Sequence, residues 1–261
     1  MVELNKNYFA DCREVLKTIP DKSINLFLED MPYNTTQCDW EYEVDLEEYW
    51  RLRLPKLADK GLFVLTANQP FTTDLIMSNR KMFKYEIVWL KSQATNFLNS
   101  KKQPLRRNEN IIVFYPKQCK YFPIITKKNP KNIRSVSLKN NSSQCYGEYK
   151  SGDYRSIPLD MSYPDNIIYA ENQQENIHPT GKPIELFSYL IKTYTNENDI
   201  VFDGYSGSGT TAIACIRNNR KYIICENKKE YFDLQTKRIQ EEIDKTSLFN
   251  SLGGRQDRIS A

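Results

Sequence analysis

The chain of 261 residues is 39% hydrophobic and 27% charged, with 12 prolines and 9 glycines; this suits one folded α/β domain plus an inserted module and excludes a disordered or collagen-like chain. Six scattered cysteines without a close CxxC pair, and the single histidine His178, argue against a structural zinc site, a disulfide framework and imidazole-based nucleophilic triads, so no metal is expected. A net charge of +4 is too small to argue from as a total, and its distribution matters more. Apolar runs bounded by turn residues predict strands over Ile24–Asp30, Gly61–Thr66, Tyr85–Leu90, Ile111–Tyr115, Asp199–Asp203 and Lys221–Glu226. Spacings of three and four predict helices over Glu47–Leu57, Phe71–Ser78, Pro183–Thr193, Thr210–Asn218 and Lys229–Asp244. Alternating strands and helices imply a doubly wound, mostly parallel sheet covered on both faces. No apolar run of about 18 residues occurs, and Glu3, Asn5, Lys6 and Asn7 stand where a signal peptide would need its core, so no membrane span and a cytoplasmic location are expected.

The first strand ends in Asp30, Met31, Pro32 and Tyr33, placing a carboxylate, a fixed turn and an aromatic ring together. In open α/β sheets ligands collect at the carboxyl ends of strands, and proline stops the ladder there. Taken alone, such a tetrad is more often a strand-to-loop turn that happens to carry an acid.

From Lys117 to Arg155 the pattern changes, with nine cations (Lys117, Lys120, Lys127, Lys128, Lys131, Arg134, Lys139, Lys150 and Arg155) against Glu148 and Asp153. Tyr121, Phe122, Tyr146, Tyr149, Tyr154 and Tyr163 are interleaved, offering stacking faces beside phosphate partners. A solvated loop would show the same charge. Lys101, Lys102, Arg106 and Arg107 form a second basic cluster in the loop after the Tyr85 strand.

Asp203, Gly204, Tyr205, Ser206, Gly207, Ser208, Gly209 and Thr210 read as a strand end, a glycine-rich turn and a capped helix start, where a ligand can press against backbone. Glu226 closes the next strand 19 residues beyond Gly207, near the spacing at which an acid reaches a ribose diol. No lysine follows Gly209, which removes a P-loop. A dinucleotide site and a purely structural turn stay open on these residues alone.

Together the two constellations resemble the S-adenosylmethionine-dependent amino-methyltransferases of DNA, specifically their β group, in which the catalytic half precedes the cofactor half. Asp30–Tyr33 matches the family's Asp-Pro-Pro-Tyr type tetrad, Asp203–Thr211 its cofactor loop, and His178, Pro179, Thr180, Gly181, Lys182 and Pro183 its His-Pro-Thr-Gln-Lys-Pro segment. Tyr8–Cys12 resembles the family's opening segment. The likeness spans about residues 4–240 and touches the insert in position and charge only. Met31 and Gly204 replace prolines of the family pattern, and Gly181 a glutamine.

The resemblance implies a seven-stranded Rossmann-like methyltransferase sheet. Its catalytic half would be 1–116, an inserted target-recognition region 117–170, the cofactor half 171–246 and a fraying tail 247–261. It implies site-specific methyl transfer from S-adenosylmethionine to N6 of a flipped adenine, with cytosine N4, RNA and a catalytically silent nucleic-acid-binding partner as alternatives. Asp30 and the Met31 carbonyl would each accept an amino hydrogen, Pro32 would fix the turn and Tyr33 would stack on the base. Glu226, with Asn227 beside it, would hold the cofactor's ribose, while Asp203 and the Gly204–Gly209 backbone would line its methionine portion up to Thr210. Asp30 would border the cofactor, Thr180 with Lys182 would meet its carboxylate, and Asp11 and Cys12 would flank its adenine. Lys101, Lys102, Arg106, Arg107, Lys127, Lys128, Arg134 and Lys139 would hold phosphates of double-stranded DNA. A homodimer is compatible with the family. The cysteines read more as core fillers than as ligands, and for His178 a buried structural role weighs at least as much as a functional one.

Overall fold

The computed structural model describes residues 2–33, 44–129, 131, 141–143, 147–149, 157–171 and 181–251. No described helix is long and apolar enough to cross a membrane. The chain divides into two compact units, Met1–Phe122 with Asn166–Ala261, and Pro123–Asp165.

The strands in chain order are β1 (Lys6–Phe9), β2 (Ile24–Glu29), β3 (Leu57–Ala67), β4 (Phe83–Thr95), β5 (Arg106–Phe114), β6 (Thr126–Lys127), β7 (Asn141–Ser143), β8 (Gly147–Tyr149), β9 (Met161–Ser162), β10 (Ile167–Ala170), β11 (Ile200–Asp203) and β12 (Lys221–Glu226). In the smaller unit β6 pairs with β9 and β7 with β8, both antiparallel. The larger unit holds one eight-stranded sheet in the order β1-β12-β11-β2-β3-β5-β4-β10. There β5 is antiparallel to β3 and β4, and every other pair is parallel.

The sheet has one strand more than the seven expected. Both edge strands, β1 and β10, escaped the reading of apolar runs because an edge strand is short and half solvated: β1 is Lys-Asn-Tyr-Phe, and β10 alternates exposed with half-buried residues. β10 lies within the 117–170 stretch assigned to the insert, yet it pairs in parallel with β4. The inner strands are apolar on both faces, as a covered parallel sheet requires. Phe27 of β2 and Phe63 of β3 stack at 4.7 Å on one face, joined by Leu16, Trp50 and Leu75 from α1 (Cys12–Thr18), α2 (Leu46–Arg53) and α3 (Phe71–Ser78). Leu26, Leu28, Leu62 and Val64 point to the other face, where α4 (Ile184–Tyr194), α5 (Thr210–Arg217) and α6 (Lys229–Ser251) supply Leu186, Leu190, Ala212 and Ile239.

Helix ends follow local chemistry. α2 stops at Arg53, short of the expected Leu57, because Pro55 lies in a 3-10 turn over Leu54–Lys56. The unforeseen α1 starts where the Asp11 side chain accepts from the Arg13 amide. α6 continues to Ser251, past the expected end at Asp244 and into the expected tail. From β2 the chain crosses to β3 on one side, whereas from β11 it crosses to β12 on the other. The carboxyl ends of β2 and β11 therefore meet at a topological switch point, where an open sheet leaves a crevice.

Candidate active site

Asp30 follows β2 at that switch point. Its Oδ1 accepts from the Tyr33 hydroxyl at 2.5 Å and from the Thr66 hydroxyl, and its Oδ2 accepts from the Lys182 ammonium at 2.5 Å. Thr66 stands near the end of β3, and Lys182 just before α4. Burial pushes the Asp30 carboxyl up, but the Lys182 charge and the bonds from Lys182, Thr66 and Tyr33 outweigh it and hold the group below the usual carboxylate range. Burial raises the Tyr33 phenol far above its ordinary value, reinforced by the Asp30 charge, so it stays a neutral donor. Its ring stacks on Phe71 at 5.5 Å. Met31 is 1% exposed with its side chain in the core, and Pro32 is half-buried.

Behind Lys182 stands a second acid. Glu109 of β5 places Oε2 3.4 Å from the ammonium, and its Oε1 pairs with Lys91 of β4. Burial would lower the Lys182 ammonium, yet Asp30 and Glu109 raise it above its ordinary value. Lys182 was expected to meet a cofactor carboxylate; here two protein carboxylates already claim it, because strand ends 152 residues away in sequence deliver Asp30 to it.

β11 ends at Asp203, whose Oδ1 accepts from the Tyr205 amide at 2.9 Å and Oδ2 from the Thr211 hydroxyl at 2.5 Å. Burial raises its carboxyl to about 8, against the pull of those two donors. The turn that follows is fixed from within. The Ser206 hydroxyl lies 2.8 Å from the Cys225 carbonyl and 2.7 Å from Gln235 Oε1, the Ser208 carbonyl accepts from Arg238 at 2.6 Å, and the Thr210 hydroxyl donates to the Lys182 carbonyl at 3.3 Å. Gly209, at the start of α5, has φ of 82°, a conformation that penalises any Cβ.

Glu226 ends β12 and accepts from the Gly207 amide at 3.0 Å and the Lys228 amide at 2.8 Å. Burial raises its carboxyl, opposed by the amides of Lys228, Gly207 and Asn227. Phe9 lies opposite Glu226 in the β1–β12 register, which brings Asp11 and Cys12 to the same sheet edge. There Asp11 pairs with Arg13 at 2.5 Å, and Cys12 is buried 3.5 Å from Arg53. The Glu226 carboxylate at the end of β12, beside a glycine-bearing turn, suits a ligand carrying a vicinal diol, and S-adenosylmethionine carries one.

Glu29 and Arg53, absent from the sequence-derived set, lock this edge from below. Glu29 Oε2 accepts from Arg53 Nε at 2.9 Å and the Tyr49 hydroxyl at 2.5 Å; Oε1 accepts from Arg53 Nη2 at 2.8 Å and the Gly204 amide at 3.0 Å. An acid closing an apolar strand, just before Asp30, was the available signal for Glu29. Thr66, Glu109 and Lys91 left none.

Among the expected phosphate contacts, Lys101 and Lys102 are exposed. Arg106 and Arg107 open β5 instead of lying in a loop, since β4 runs on to Thr95 and pairs with Arg106. Arg107 donates to the Lys91 and Ser92 carbonyls at 3.2 and 3.4 Å, and Arg106 to the Gln69 carbonyl at 3.4 Å, so both brace backbone. In the smaller unit Lys127 is exposed, while Lys128 donates to the Leu159 carbonyl at 3.1 Å. His178, Thr180, Arg134 and Lys139 lie outside the described residues.

A family model described as DNA methylase matches residues 24–238. The DNA adenine methyltransferase YhdJ of Escherichia coli (strain K12) is 28% identical over 88% of this chain and 81% of its own. The crystal structure titled M1.HpyAVI-SAM complex superposes with a TM-score of 0.60 at 23% identity, covering 89% of this chain and 98% of that one. The PvuII DNA methyltransferase (cytosine-N4-specific) gives 0.64 at 20% identity, covering 96% and 93%. These structures share the Rossmann-like fold described above.

Proposed function

Because the chain belongs to the DNA methylase family, we propose that it transfers the methyl group of S-adenosylmethionine to the exocyclic N6 of an adenine extruded from double-stranded DNA. The observation that carries this reading is the ionised Asp30 at the switch point, already oriented by Tyr33, Thr66 and Lys182. An exocyclic amine is a weak nucleophile because its lone pair is delocalised into the ring. Asp30 Oδ1 is occupied by two hydroxyl donors, whereas Oδ2 has one donor and retains a lone pair for an amino hydrogen. The Met31 carbonyl accepts the second hydrogen, and the nitrogen turns its lone pair toward the methyl group, so that the N–C bond would form as the S–C bond breaks to leave a neutral thioether, and the surplus amine proton would leave by way of Asp30 to solvent. The cofactor would supply that methyl on a sulfonium; Glu226 would hold its ribose, and Asp203 with the Gly204–Gly209 backbone would line its methionine portion.

Adenine is favoured over cytosine by the carboxylate at position 30 and by the adenine specificity named for the E. coli relative. Extrusion costs a few kcal/mol, about what one or two stacked contacts on Tyr33 return. The basic unit Pro123–Asp165 is assigned to target recognition, and Lys101 and Lys102 to phosphates. The test is Asp30→Ala, assayed with labelled cofactor on duplex DNA. kcat/KM should fall by about a thousandfold or more while calorimetric cofactor affinity changes little, since the carboxylate serves the transition state. Retained turnover refutes the mechanism, and label recovered in N4-methylcytosine refutes the choice of base.

A further inference from the structure

We propose that Lys182 donates to the ring nitrogen next to the target amino group, N1 of adenine, so that Asp30 and Lys182 together read the donor–acceptor edge of the extruded base. The inference rests on the functional reading above. Asp30 Oδ2 and Lys182 Nζ stand side by side at 2.5 Å, an acceptor and a donor spaced like the donor and acceptor they would meet. Adenine offers an amino N–H beside a bare ring nitrogen. Guanine and thymine present the reverse, a carbonyl oxygen beside a ring N–H, and would set N–H against ammonium and oxygen against carboxylate.

The surroundings fit this use. The ammonium lies 5.9 Å from the Tyr33 ring centroid, so a base stacked on that ring brings its edge to the pair. An ammonium has three N–H bonds, and here two carboxylates lie within reach of it. Glu109 Oε2 is buried and has no hydrogen bond, being 3.4 Å from Nζ. It is a second mooring: as the amino group engages Asp30 Oδ2, a small shift of Nζ toward Glu109 satisfies that orphaned oxygen and turns an N–H to the base. Lys91 on the far oxygen keeps Glu109 in place. A lone lysine pointing at a carboxylate would need none of this.

The experiment compares kcat/KM on duplexes carrying adenine, 1-deazaadenine or 3-deazaadenine at the target position. With wild-type protein, 1-deazaadenine should be methylated on the order of 10- to 100-fold less efficiently than adenine, the effect of one hydrogen bond to a charged donor, while 3-deazaadenine should differ little. In Lys182→Met the adenine rate should fall to meet the 1-deazaadenine rate, erasing the preference. Should that variant fail to fold, Glu109→Gln combined with Lys182→Met removes one of the two carboxylates that lose the Lys182 charge and supports the same comparison. Equal wild-type rates on adenine and 1-deazaadenine, or a preference undiminished without Lys182, overturn the inference alone. Absence of any methyl transfer by wild type overturns the functional reading and takes the inference with it.

Discussion

Replacing Arg53 by methionine should destabilise the protein more than any surface change, and the size of the effect follows from what Glu29 would be left with. The pair is sealed, with side-chain exposure of 2% for Arg53 and 0% for Glu29. Methionine fills much of the aliphatic volume, but Glu29 loses its three guanidinium bonds and its counter-charge and retains only Tyr49 and the Gly204 amide. The guanidinium also covers the Tyr49 ring at 4.0 Å, a contact that methionine replaces without charge. Breaking a buried pair from one side costs about 3–5 kcal/mol. At about 2–4 °C per kcal/mol for a chain of this size, the melting temperature should drop by roughly 6–20 °C. Urea titration supplies the free energy, and titration with S-adenosylmethionine supplies the second readout, because Gly204 hangs on Glu29. Glu29→Gln combined with Arg53→Met should recover most of the loss, since no charge is then buried alone. A loss under about 1 kcal/mol, or a double variant no better than the single, would refute the argument.

Gly204 and Asp203 give two further tests. A Cβ at Gly204 would lie 2.8 Å from Arg53 Nη2 and Glu29 Oε1 and 2.9 Å from Cys12 Cβ. Gly204→Ala should therefore cost about 1–3 kcal/mol and weaken cofactor binding; wild-type stability and affinity in the same titrations would sink this account. Asp203 has a folded-state pKa of about 8, far above its unfolded value of about 3.9. The native carboxyl thus holds a proton that the unfolded one has lost, so its contribution to stability is complete below about pH 4 and fades as pH rises toward 8. Asp203→Asn should flatten that decline between pH 5 and 8 in urea midpoints, and an unchanged slope counts against it.

How far the sequence revealed this site depended on the range over which each contact is made. The inner strands were legible because burial on both faces leaves continuous apolar runs, and α3 was legible over its full Phe71–Ser78 length. Asp30 and the Asp203–Thr211 turn were legible because their residues are contiguous. What sets the chemistry of Asp30 was not. Thr66 lies 36 residues away and Lys182 152, and neither shows in sequence which acid it will face. β1 and β10 were missed because solvated edge strands need no apolar pattern. Arg106 and Arg107 were assigned to phosphates because charge is visible in a sequence, while a guanidinium's preference for nearby carbonyls depends on where β4 ends.

The two prolines that this chain lacks are the sharpest case. Position 31 in the family pattern is a proline, whose ring would fix the turn beside the carbonyl proposed to accept an amino hydrogen. Here the methionine side chain is 1% exposed in the core beneath the sheet edge, so packing restrains the backbone that a ring would have restrained. Met31→Pro should therefore alter methyl transfer little, because the carbonyl is already held. Position 204 cannot be exchanged in the same way. A proline there has no amide hydrogen to give Glu29 Oε1 and would drive its ring into Arg53 and Cys12. The departure at 204 is thus tied to the buried Glu29–Arg53 pair, which needs both the amide and the space. Gly204→Pro should become tolerable only after Glu29 and Arg53 are replaced together by smaller neutral residues.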